Sequence, residues 1–257
     1  MSVFKTFGKY RNLLAELVKK DIKLKYRSSY LGVVWTLLEP LLTMVVLTLV
    51  FSKMLGRGTR DFPVYILTGR LLYSFFSNGT KAALKSIRSN AGMIKKVYVP
   101  KYMYPFASVL SNYVIFLISL IVLTVVALTR GVYPTVRLFW AFIPLFQILL
   151  LTAGMGLILA TMAVFFRDVE YLWGVALMLI MYASAIFYQV GDMVSEKNAW
   201  IFKLNPLYAV IVNFRNAVFG HPMDFTAMWY AFGFGAVSFL IGMFAFYKKQ
   251  DKFILYL

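Results

Sequence analysis

Long apolar stretches, separated by short polar segments, form the dominant pattern of this 257-residue chain. Four of these stretches contain no charged residue: 102–129, 138–166, 171–191 and 225–247. A helix of roughly 20 apolar residues crosses the hydrocarbon core of a bilayer. Two further apolar stretches, 28–52 and 62–80, carry one charged residue each, Glu39 or Arg70. We therefore expect six spans, at 32–52, 62–84, 102–129, 138–166, 170–191 and 225–247.

The apolar stretches are continuous and do not alternate with a period of two residues. A lipid-facing β-barrel strand would show that alternation, whereas a spanning helix is apolar throughout. The predicted fold class is therefore an all-α integral membrane protein, with a single transmembrane domain over residues 1–257.

The distribution of Lys and Arg predicts the orientation of this domain. An even number of spans puts both termini on one side of the membrane, and basic residues favour the cytosolic side. The segments on the side of the termini hold 18 of the 27 Lys and Arg residues, and those on the other side hold 8. Both termini, including the tail 248–257, are therefore predicted to be cytosolic.

The segment before the first span, residues 1–31, has an amphipathic pattern. Its apolar residues recur at roughly helical spacing between lysines, which predicts a helix lying on the cytosolic membrane surface. Two roles remain open for it, a plain topological anchor and a guide for a lipid-attached substrate. The apolar positions are Leu13, Leu14, Leu17, Val18, Ile22 and Leu24.

A short basic segment, 86–105, separates the second and third predicted spans. The topology places it on the cytosolic side, where a compact basic helix can dock to a partner and transmit a rigid-body movement to two spans. The alternative is a basic loop that only sets the topology.

Two charged residues interrupt the apolar pattern of the first two spans. Glu39 precedes Pro40, which should bend its helix and leave a carbonyl without a donor. Counted from the span ends at 1.5 Å per residue, Glu39 lies about 10 Å from the cytosolic side and Arg70 about 10 Å from the outer side. We do not expect a direct pair. A role in a water-filled path is open for both, since a cation there can meet phosphate or sugar hydroxyls.

Residues 192–224, between the fifth and sixth predicted spans, are too long for a tight turn. The segment contains the apolar run 204–214, which is too short to cross the membrane and is broken by Asn205 and Pro206. It predicts one or two re-entrant half-helices on the outer side that end near Gly220 and could form a gate. An interfacial loop without a gating role is the alternative.

Composition supports the membrane assignment and limits the chemistry. Of all residues, 61% are hydrophobic and 14% are charged, more apolar side chains than one water-soluble core buries. The formal net charge of +17 is explained better by topology than by nucleic-acid binding. Without cysteine and with one histidine, the chain offers no His/Cys metal site.

The sequence lacks an ATP-binding motif, and the charged pair Arg167–Asp168 suits a structural role. No G-x-x-x-x-G-K-[ST] motif occurs, so the chain has no phosphate loop for ATP. Arg167 and Asp168 lie in a very short turn between the fourth and fifth predicted spans. We expect Asp168 to cap the following helix and Arg167 to bind the last carbonyls of the preceding one; a direct partner contact is the alternative.

Four segments, taken together in order and spacing, resemble the permease subunit of type-2 ABC exporters. Within that family they are similar to exporters of lipid-linked polysaccharides and polyol phosphates, such as O-antigen and teichoic acid. The segments are Asp21 to Trp35 with Glu39 and Pro40, the basic segment with Ile94 to Pro100 and Pro105, Phe165 to Asp168, and Leu204 to Leu207.

The resemblance implies a homodimeric permease in a bacterial plasma (inner) membrane, with two copies of a separate cytosolic ATPase that bind ATP and Mg²⁺. This chain would then hold no cofactor. It also implies that the coupling helix that docks to the ATPase lies within 86–99, with Ile87, Arg88, Asn90, Met93, Ile94, Lys95, Lys96 and Val97 as its contact residues.

The remaining candidate residues fall into two groups. Arg27, Glu39, Pro40, Arg167 and Asp168 are candidates for structural or interface roles. Aromatic residues at span ends usually form an interfacial belt, but a minority that line a channel can stack on sugar rings. The candidates for the substrate path or gate are Arg70, Tyr73, Phe187, Tyr188, Asn205 and Pro206.

Two other functions stay open on the sequence alone. One is an exporter of the same family that moves drugs or small lipids. The other is an integral-membrane glycosyl- or phosphotransferase, which would need an active-site acid among Glu39, Asp168 and Glu170.

Overall fold

The computed structural model describes residues 10–27, 30–54, 60–96, 99–188 and 200–256, and these residues contain helices and no strand. The expected all-helical fold is therefore confirmed for this part of the chain. The helices are α1 Arg11–Tyr26, α2 Trp35–Met54, α3 Phe62–Ser89, α4 Ala91–Ile94, α5 Met103–Arg130, α6 Phe142–Phe165, α7 Val169–Tyr182, α8 Trp200–Lys203, α9 Pro206–Phe219, α10 Phe225–Lys249 and α11 Phe253–Tyr256.

Three helical segments are long and apolar enough to cross a membrane: α5, the segment Val136–Phe165 that joins a 3₁₀ turn to α6, and the segment Phe225–Lys252 that contains α10. Two shorter apolar helical segments, Trp35–Phe51 within α2 and Val169–Tyr182 (α7), accompany them. The structure is thus that of a helical membrane protein.

Helix α3 is the centre of the bundle. It contacts α2, α5, α6, α7 and α9, and 19 of its 28 residues are buried. The span expected at 62–84 continues to Ser89, because the apolar periodicity of α3 extends through the buried residues Leu84 and Ile87.

Helices α6 and α10 pack closely at two glycines. A β-carbon at Gly154 would lie 2.5 Å from the backbone nitrogen of Phe239, and one at Gly242 would lie 2.8 Å from the carbonyl oxygen of Gly154. Small residues allow backbones to approach in this way where the surrounding lipid gives little hydrophobic driving force for association.

Helix α7 is shorter than the span expected at 170–191. It ends at Tyr182, and residues 183–188 continue as irregular backbone, while 189–191 lie outside the described residues. We call this segment the 183–188 turn. Polar side chains of other helices bind its carbonyl groups, so the chain does not need to continue as a helix there.

A second apolar cluster joins one end of the bundle. It contains Leu14 and Leu17 of α1, Ile87 of α3, and Phe253 of α11, together with buried residues at the start of α5 and the ends of α6 and α10. This end therefore contains the segments that the sequence assigned to the cytosolic side, and we call it the inner end. The opposite end, which contains the 183–188 turn and α9, is the outer end.

Candidate functional site

A polar cleft lies between α1, α2, α3 and α5 and encloses about 60 Å³, enough for several waters. It contains charged and amide side chains in a part of the chain that is otherwise strongly apolar. Its polar lining residues are Lys25, Thr36, Glu39, Thr43, Arg70, Ser74, Asn78, Asn112 and Ser119.

Glu39 and Arg70, the charged residues of the apolar stretches 28–52 and 62–80, both line this cleft. The sequence predicts that the two residues lie at different depths in the membrane. The cleft reaches both depths because it runs along α3 for two turns, from Arg70 to Asn78, a distance of about 12 Å. The ion pairs in the described residues are Lys19–Glu16 and Lys85–Glu170. Glu39 and Arg70 therefore share the cleft without forming a direct pair.

Pro40 has no N–H and therefore cannot donate the helical hydrogen bond to the carbonyl of Thr36, four residues earlier. Ser119 of α5 donates a hydrogen bond to this carbonyl oxygen at 3.0 Å. Helix α2 continues through Pro40, because a neighbouring helix replaces the missing donor.

One face of α3 continues the polar cleft towards the inner end. Arg70 and Ser74 are half-buried, whereas Asn78, Lys81 and Lys85 are exposed. These residues recur at intervals of three or four and therefore lie on one side of the helix. We call this side the polar face of α3.

Tyr73 lies outside the cleft. Its side chain is buried, and its hydroxyl donates to the Leu177 carbonyl of α7 at 2.9 Å. The Arg70 guanidinium carbon lies 5.8 Å from the Tyr73 ring centroid. Tyr73 thus connects α3 to α7, and its ring lies beside the Arg70 guanidinium group.

The remaining gate candidates meet around the 183–188 turn. Asn205 caps α9, because its Oδ1 accepts from the Leu207 amide at 3.0 Å, and its Nδ2 donates to the Ala183 carbonyl at 3.1 Å. Pro206 occupies the first turn of α9, where its missing N–H costs nothing. The structure therefore brings Asn205 and Pro206 to the turn.

The two aromatic candidates in the turn pack against protein. Phe187 is buried and stacks on Phe51 of α2, with ring centroids 5.0 Å apart. The Tyr188 hydroxyl donates to the Tyr182 carbonyl at 2.6 Å. Neither ring lines the polar cleft.

Arg215 of α9, which is not among the candidates from the sequence, is the centre of this arrangement. It is buried and donates to the carbonyls of Ala185 and Ile186 at 3.1 Å each and to that of Tyr65 at 3.2 Å. Its guanidinium carbon also lies 3.5 Å from the Tyr65 ring centroid.

The Arg215 site is unusual because backbone carbonyls take the place of a counterion. Burial lowers the pKa of its guanidinium to about 10, so the group remains a cation at neutral pH. A carbonyl of this turn belongs to Ala185, which has a φ of 46°, a conformation that is uncommon for a residue with a β-carbon. The sequence signal that could have found Arg215 was a lone charge directly after the apolar run 204–214, followed by the apolar residues 217–219.

At the inner end, the predicted coupling residues divide into buried and exposed groups. Ile87 and Ile94 are buried in the inner apolar cluster. Ile87 and Arg88 lie in the last turns of α3, and the separate helix is the single turn α4. The exposed residues Met93, Lys95 and Lys96 follow on the surface, and Val97 lies outside the described residues.

Side-chain contacts tie this surface to two other helices. Lys20 of α1 donates to Asn90 Oδ1 at 2.7 Å, and Lys85 of α3 pairs with Glu170 of α7 at 2.5 Å. A movement of α4 would therefore be transmitted to α1 as well as to α3. Sequence spacing gave no signal for these contacts between distant segments.

The short turn between α6 and α7 differs from expectation. Asp168 occupies the N-cap position of α7, but its side chain makes no capping hydrogen bond. The Ala163 carbonyl near the end of α6 accepts from Arg88 of α3, and Arg167 is exposed. The expected capping role of Asp168 is therefore wrong. The expected role of Arg167 is wrong as well, since Arg88 of the neighbouring helix binds the carbonyl at the end of α6. Arg27 is exposed at the C-cap of α1.

The described residues contain no group of three or more His, Cys, Asp or Glu side chains that could hold a metal. The possible acids of a transferase, Glu39, Asp168 and Glu170, are also apart: Glu39 lines the cleft, whereas the other two lie in the α6–α7 region.

Comparison with known proteins places these features in a family context. The model of the family described as ABC-2 type transporter matches residues 12–219. An O-antigen export system permease protein, RfbA of Klebsiella pneumoniae, is 29% identical over 94% of this chain and 93% of its own length. The polysialic acid transport protein KpsM of Escherichia coli is 25% identical, and each chain is covered to 93%. The capsule polysaccharide export inner-membrane protein CtrC of Neisseria meningitidis serogroup B is 22% identical over 98% of this chain and 96% of its own.

Proposed function

This chain belongs to the ABC-2 type transporter family, and on that premise we propose that it is the permease subunit of an ATP-driven exporter of a cell-surface polysaccharide. The chain is a transport subunit, and ATP is hydrolysed by a separate ATPase subunit. Relatives named for O-antigen, polysialic acid and capsule export, each aligned over nearly its whole length, support a polysaccharide as the substrate.

The observation that carries this proposal is the polar face of α3. Most of this central helix is buried, yet Asn78, Lys81 and Lys85 are exposed. Polar side chains at membrane depth are costly unless they meet water, one another or a substrate. A hydrated sugar chain, rich in hydroxyl groups, suits such a face.

A second copy of the chain would close the path. In one copy the polar face of α3 is open, and its neighbours α2 and α7 carry exposed apolar residues, among them Val46, Leu49, Leu172 and Leu179. In the proposed homodimer these apolar faces meet, and the two polar faces enclose one continuous channel. The six proposed spans are α2, α3, the two long segments with α5 and α6, α7 and α10.

The inner end is the proposed docking surface for two ATPase copies. Met93, Lys95 and Lys96 are exposed there, directly after α3. The buried Ile87 and Ile94 anchor this surface in the bundle, so a push by the ATPase moves α3 itself. Since α1 and α11 also lie at the inner end, both termini are cytosolic in this proposal.

Export from the native host cell tests the path. We expect depletion of the chain to leave completed polysaccharide in the cytosol and the wild-type gene to restore export. The variant Asn78→Trp, which fills the polar face, should reduce export at least about tenfold, since a misplaced side chain in a path blocks passage. The matched control is Leu240→Trp, a change at an exposed apolar residue of α10.

Equal expression and equal binding of the ATPase by both variants are required for the comparison. Normal export by Asn78→Trp would show that the polar face of α3 is not the path. Normal polysaccharide export after depletion, with loss of drug or small-lipid efflux, would replace the substrate assignment. Sugar transfer by the purified chain alone would instead support a transferase.

A further inference from the structure

We infer that an apolar groove at the outer end of α5 binds an acyl chain of an anionic phospholipid, as a site separate from the polysaccharide path. The groove has a volume of about 560 Å³, within the range of small-molecule sites. Its walls are α5, the connection to α6 with the start of α6, and two residues of α9. The lining residues that the argument uses are Leu120, Thr124, Leu128, Thr135, Phe139 and Leu145.

The dimensions of the groove suit one hydrocarbon chain. Along α5 it extends from Leu120 to Leu128, which at 1.5 Å per residue is about 12 Å. One leaflet contributes about 15 Å to the hydrocarbon core of a bilayer. Apart from Thr124 and Thr135, its walls are apolar, so it offers an acyl chain contacts and offers a sugar almost no hydrogen bonds.

Aromatic residues place the mouth of the groove at the level of the lipid headgroups. Tyr133, Phe139 and Trp140 are exposed beside the mouth, and the Trp140 ring lies 6.5 Å from that of Phe225 at the start of α10. Exposed Tyr and Trp collect at the boundary between hydrocarbon and headgroups. An acyl chain that enters here would run from this boundary towards the membrane centre.

Arginines surround the same mouth. Arg130 and Arg137 are exposed, and Arg137 is held in place because its Nη1 donates to the Gly220 carbonyl at 2.6 Å. The guanidinium carbon of Arg60 lies 3.4 Å from the position of a β-carbon at Gly131. Three guanidinium groups thus lie near the end of α5, where they can bind phosphate through paired N–H donors.

The connection between α5 and α6 favours an anionic headgroup, and the acids nearest in sequence to the residues at the mouth are Asp61, after Arg60, and Asp224, before Phe225. No Asp or Glu occurs anywhere from residue 62 to residue 167, so the connection between α5 and α6 carries only positive charge. A zwitterionic headgroup would bring its own cation to this surface, whereas phosphatidylglycerol or cardiolipin would not.

The groove and the polar cleft are different sites on α5. The cleft uses Asn112, Ile115, Phe116 and Ser119, whereas the groove begins at Leu120 and continues on the α6 side. No residue lines both. The lipid site requires that the chain lies in a membrane, but it does not depend on which substrate is exported. Lipid retention can therefore be lost while export is normal, and export can be lost while lipid retention is normal.

Lipid retention by the complex of the full-length chain with its ATPase tests the site. The complex is reconstituted in nanodiscs of phosphatidylcholine and phosphatidylglycerol in a ratio of about three to one, extracted into mild detergent, and its bound lipids are counted by native mass spectrometry. We expect retained phosphatidylglycerol in excess over its share of the mixture. The double variant Arg130→Gln/Arg137→Gln should lose that preference about tenfold, and Thr124→Trp, which fills the groove, should lose retention of both lipids.

Two controls separate the site from general effects. Lys248→Gln/Lys249→Gln removes the same charge from exposed residues at the inner end and should retain the preference. Leu240→Trp adds the same bulk on α10 and should retain the lipid. An equal loss in the lysine control, no preference in the wild type, or unchanged retention by Thr124→Trp would overturn the inference. Displacement of phosphatidylglycerol by a polyprenyl phosphate at equal concentration would assign the groove to a lipid carrier instead.

Discussion

The guanidinium carbon of Arg215 lies 3.5 Å from the ring centroid of Tyr65, so α9 is joined to α3 by a cation over an aromatic face. The same guanidinium donates to carbonyls of the 183–188 turn. One buried side chain therefore joins three elements of the outer end, at the place where α7 stops. This contact explains how irregular backbone is tolerated there.

Arg215→Met should destabilise the fold by about 3 kcal/mol, because it leaves several buried carbonyls without a donor. Arg215→Lys should recover only part of that loss, since an ammonium group cannot reproduce the planar set of donors. Thermal unfolding of the detergent-purified complex measures both effects. Lys203→Met, at an exposed residue of α8, is the control and should unfold like the wild type. Equal stability of Arg215→Met and the wild type would show that the carbonyls find other partners.

Ser119 and Pro40 should be energetically coupled. Ser119→Ala removes the donor to the Thr36 carbonyl and should cost about 1 kcal/mol. In the Pro40→Ala background the helix supplies its own donor to that carbonyl, so Ser119→Ala should cost much less. The four melting temperatures of this double-mutant cycle test the coupling. Additive effects would contradict the link between Pro40 and the hydrogen bond from Ser119 to the Thr36 carbonyl.

Charge reversal at Lys95 and Lys96 should uncouple the ATPase from export. Both are exposed after α4, so Lys95→Glu/Lys96→Glu should leave folding intact while export falls. ATPase activity of the purified complex, its subunit composition and export from cells are measured together. The control Lys248→Glu/Lys249→Glu makes the same charge change at the same end and should export normally. Normal export by the Lys95/Lys96 variant would refute the docking surface.

Gly154 should tolerate no side chain. A β-carbon there would lie 2.5 Å from the Phe239 backbone nitrogen, so Gly154→Ala must push α6 and α10 apart and should cost about 2 kcal/mol. At Gly233 of α10, apart from the adjacent residues and the backbone of its own helical turns, no atom lies within 4 Å of the corresponding position. Gly233→Ala should therefore be neutral or stabilise slightly, by up to about 1 kcal/mol. Equal melting temperatures for the two variants would contradict the close packing.

Asp21 predicts a pH dependence for the docking of α1. Burial raises the pKa of its carboxyl above the usual range, although the Ser108 hydroxyl, 3.0 Å from Oδ2, and Lys20 act in the opposite direction. A raised pKa in the folded state means that ionisation destabilises the fold, so this penalty is present at neutral pH and disappears as the pH falls through the folded pKa.

Asp21→Asn retains an acceptor for Ser108 and carries no charge. It should therefore melt above the wild type at pH 7, and the difference should shrink towards pH 4. Melting temperatures across this range, with Glu16→Gln on the exposed side of α1 as a control, test the assignment. If the difference in melting temperature between Asp21→Asn and the wild type grew as the pH fell, the pKa of Asp21 would be lowered and not raised by folding.

The sequence predicted what depends on local composition and period. The apolar runs predicted the helices α5, α6 and α10, and the break at Asn205 and Pro206 lies where α9 begins. The helical hydrogen bond that Pro40 cannot donate also followed from the sequence, since a missing N–H is a property of that residue. In each of these cases the relevant interactions lie within a few residues along the chain.

Only the tertiary structure decided which distant side chains meet. It ended α7 at Tyr182, because Arg215, Asn205 and Tyr65 bind the carbonyls that a longer helix would have bound itself. Helix packing also decided that Arg88, and not Arg167, binds a carbonyl at the end of α6. It brought Glu39 and Arg70 into the lining of one cleft. A hydrogen bond between helices depends on how those helices pack, and packing depends on side chains far apart in the sequence. The hydrophobic pattern thus determined a bundle of membrane helices, and the contacts between helices determined where its polar groups are placed.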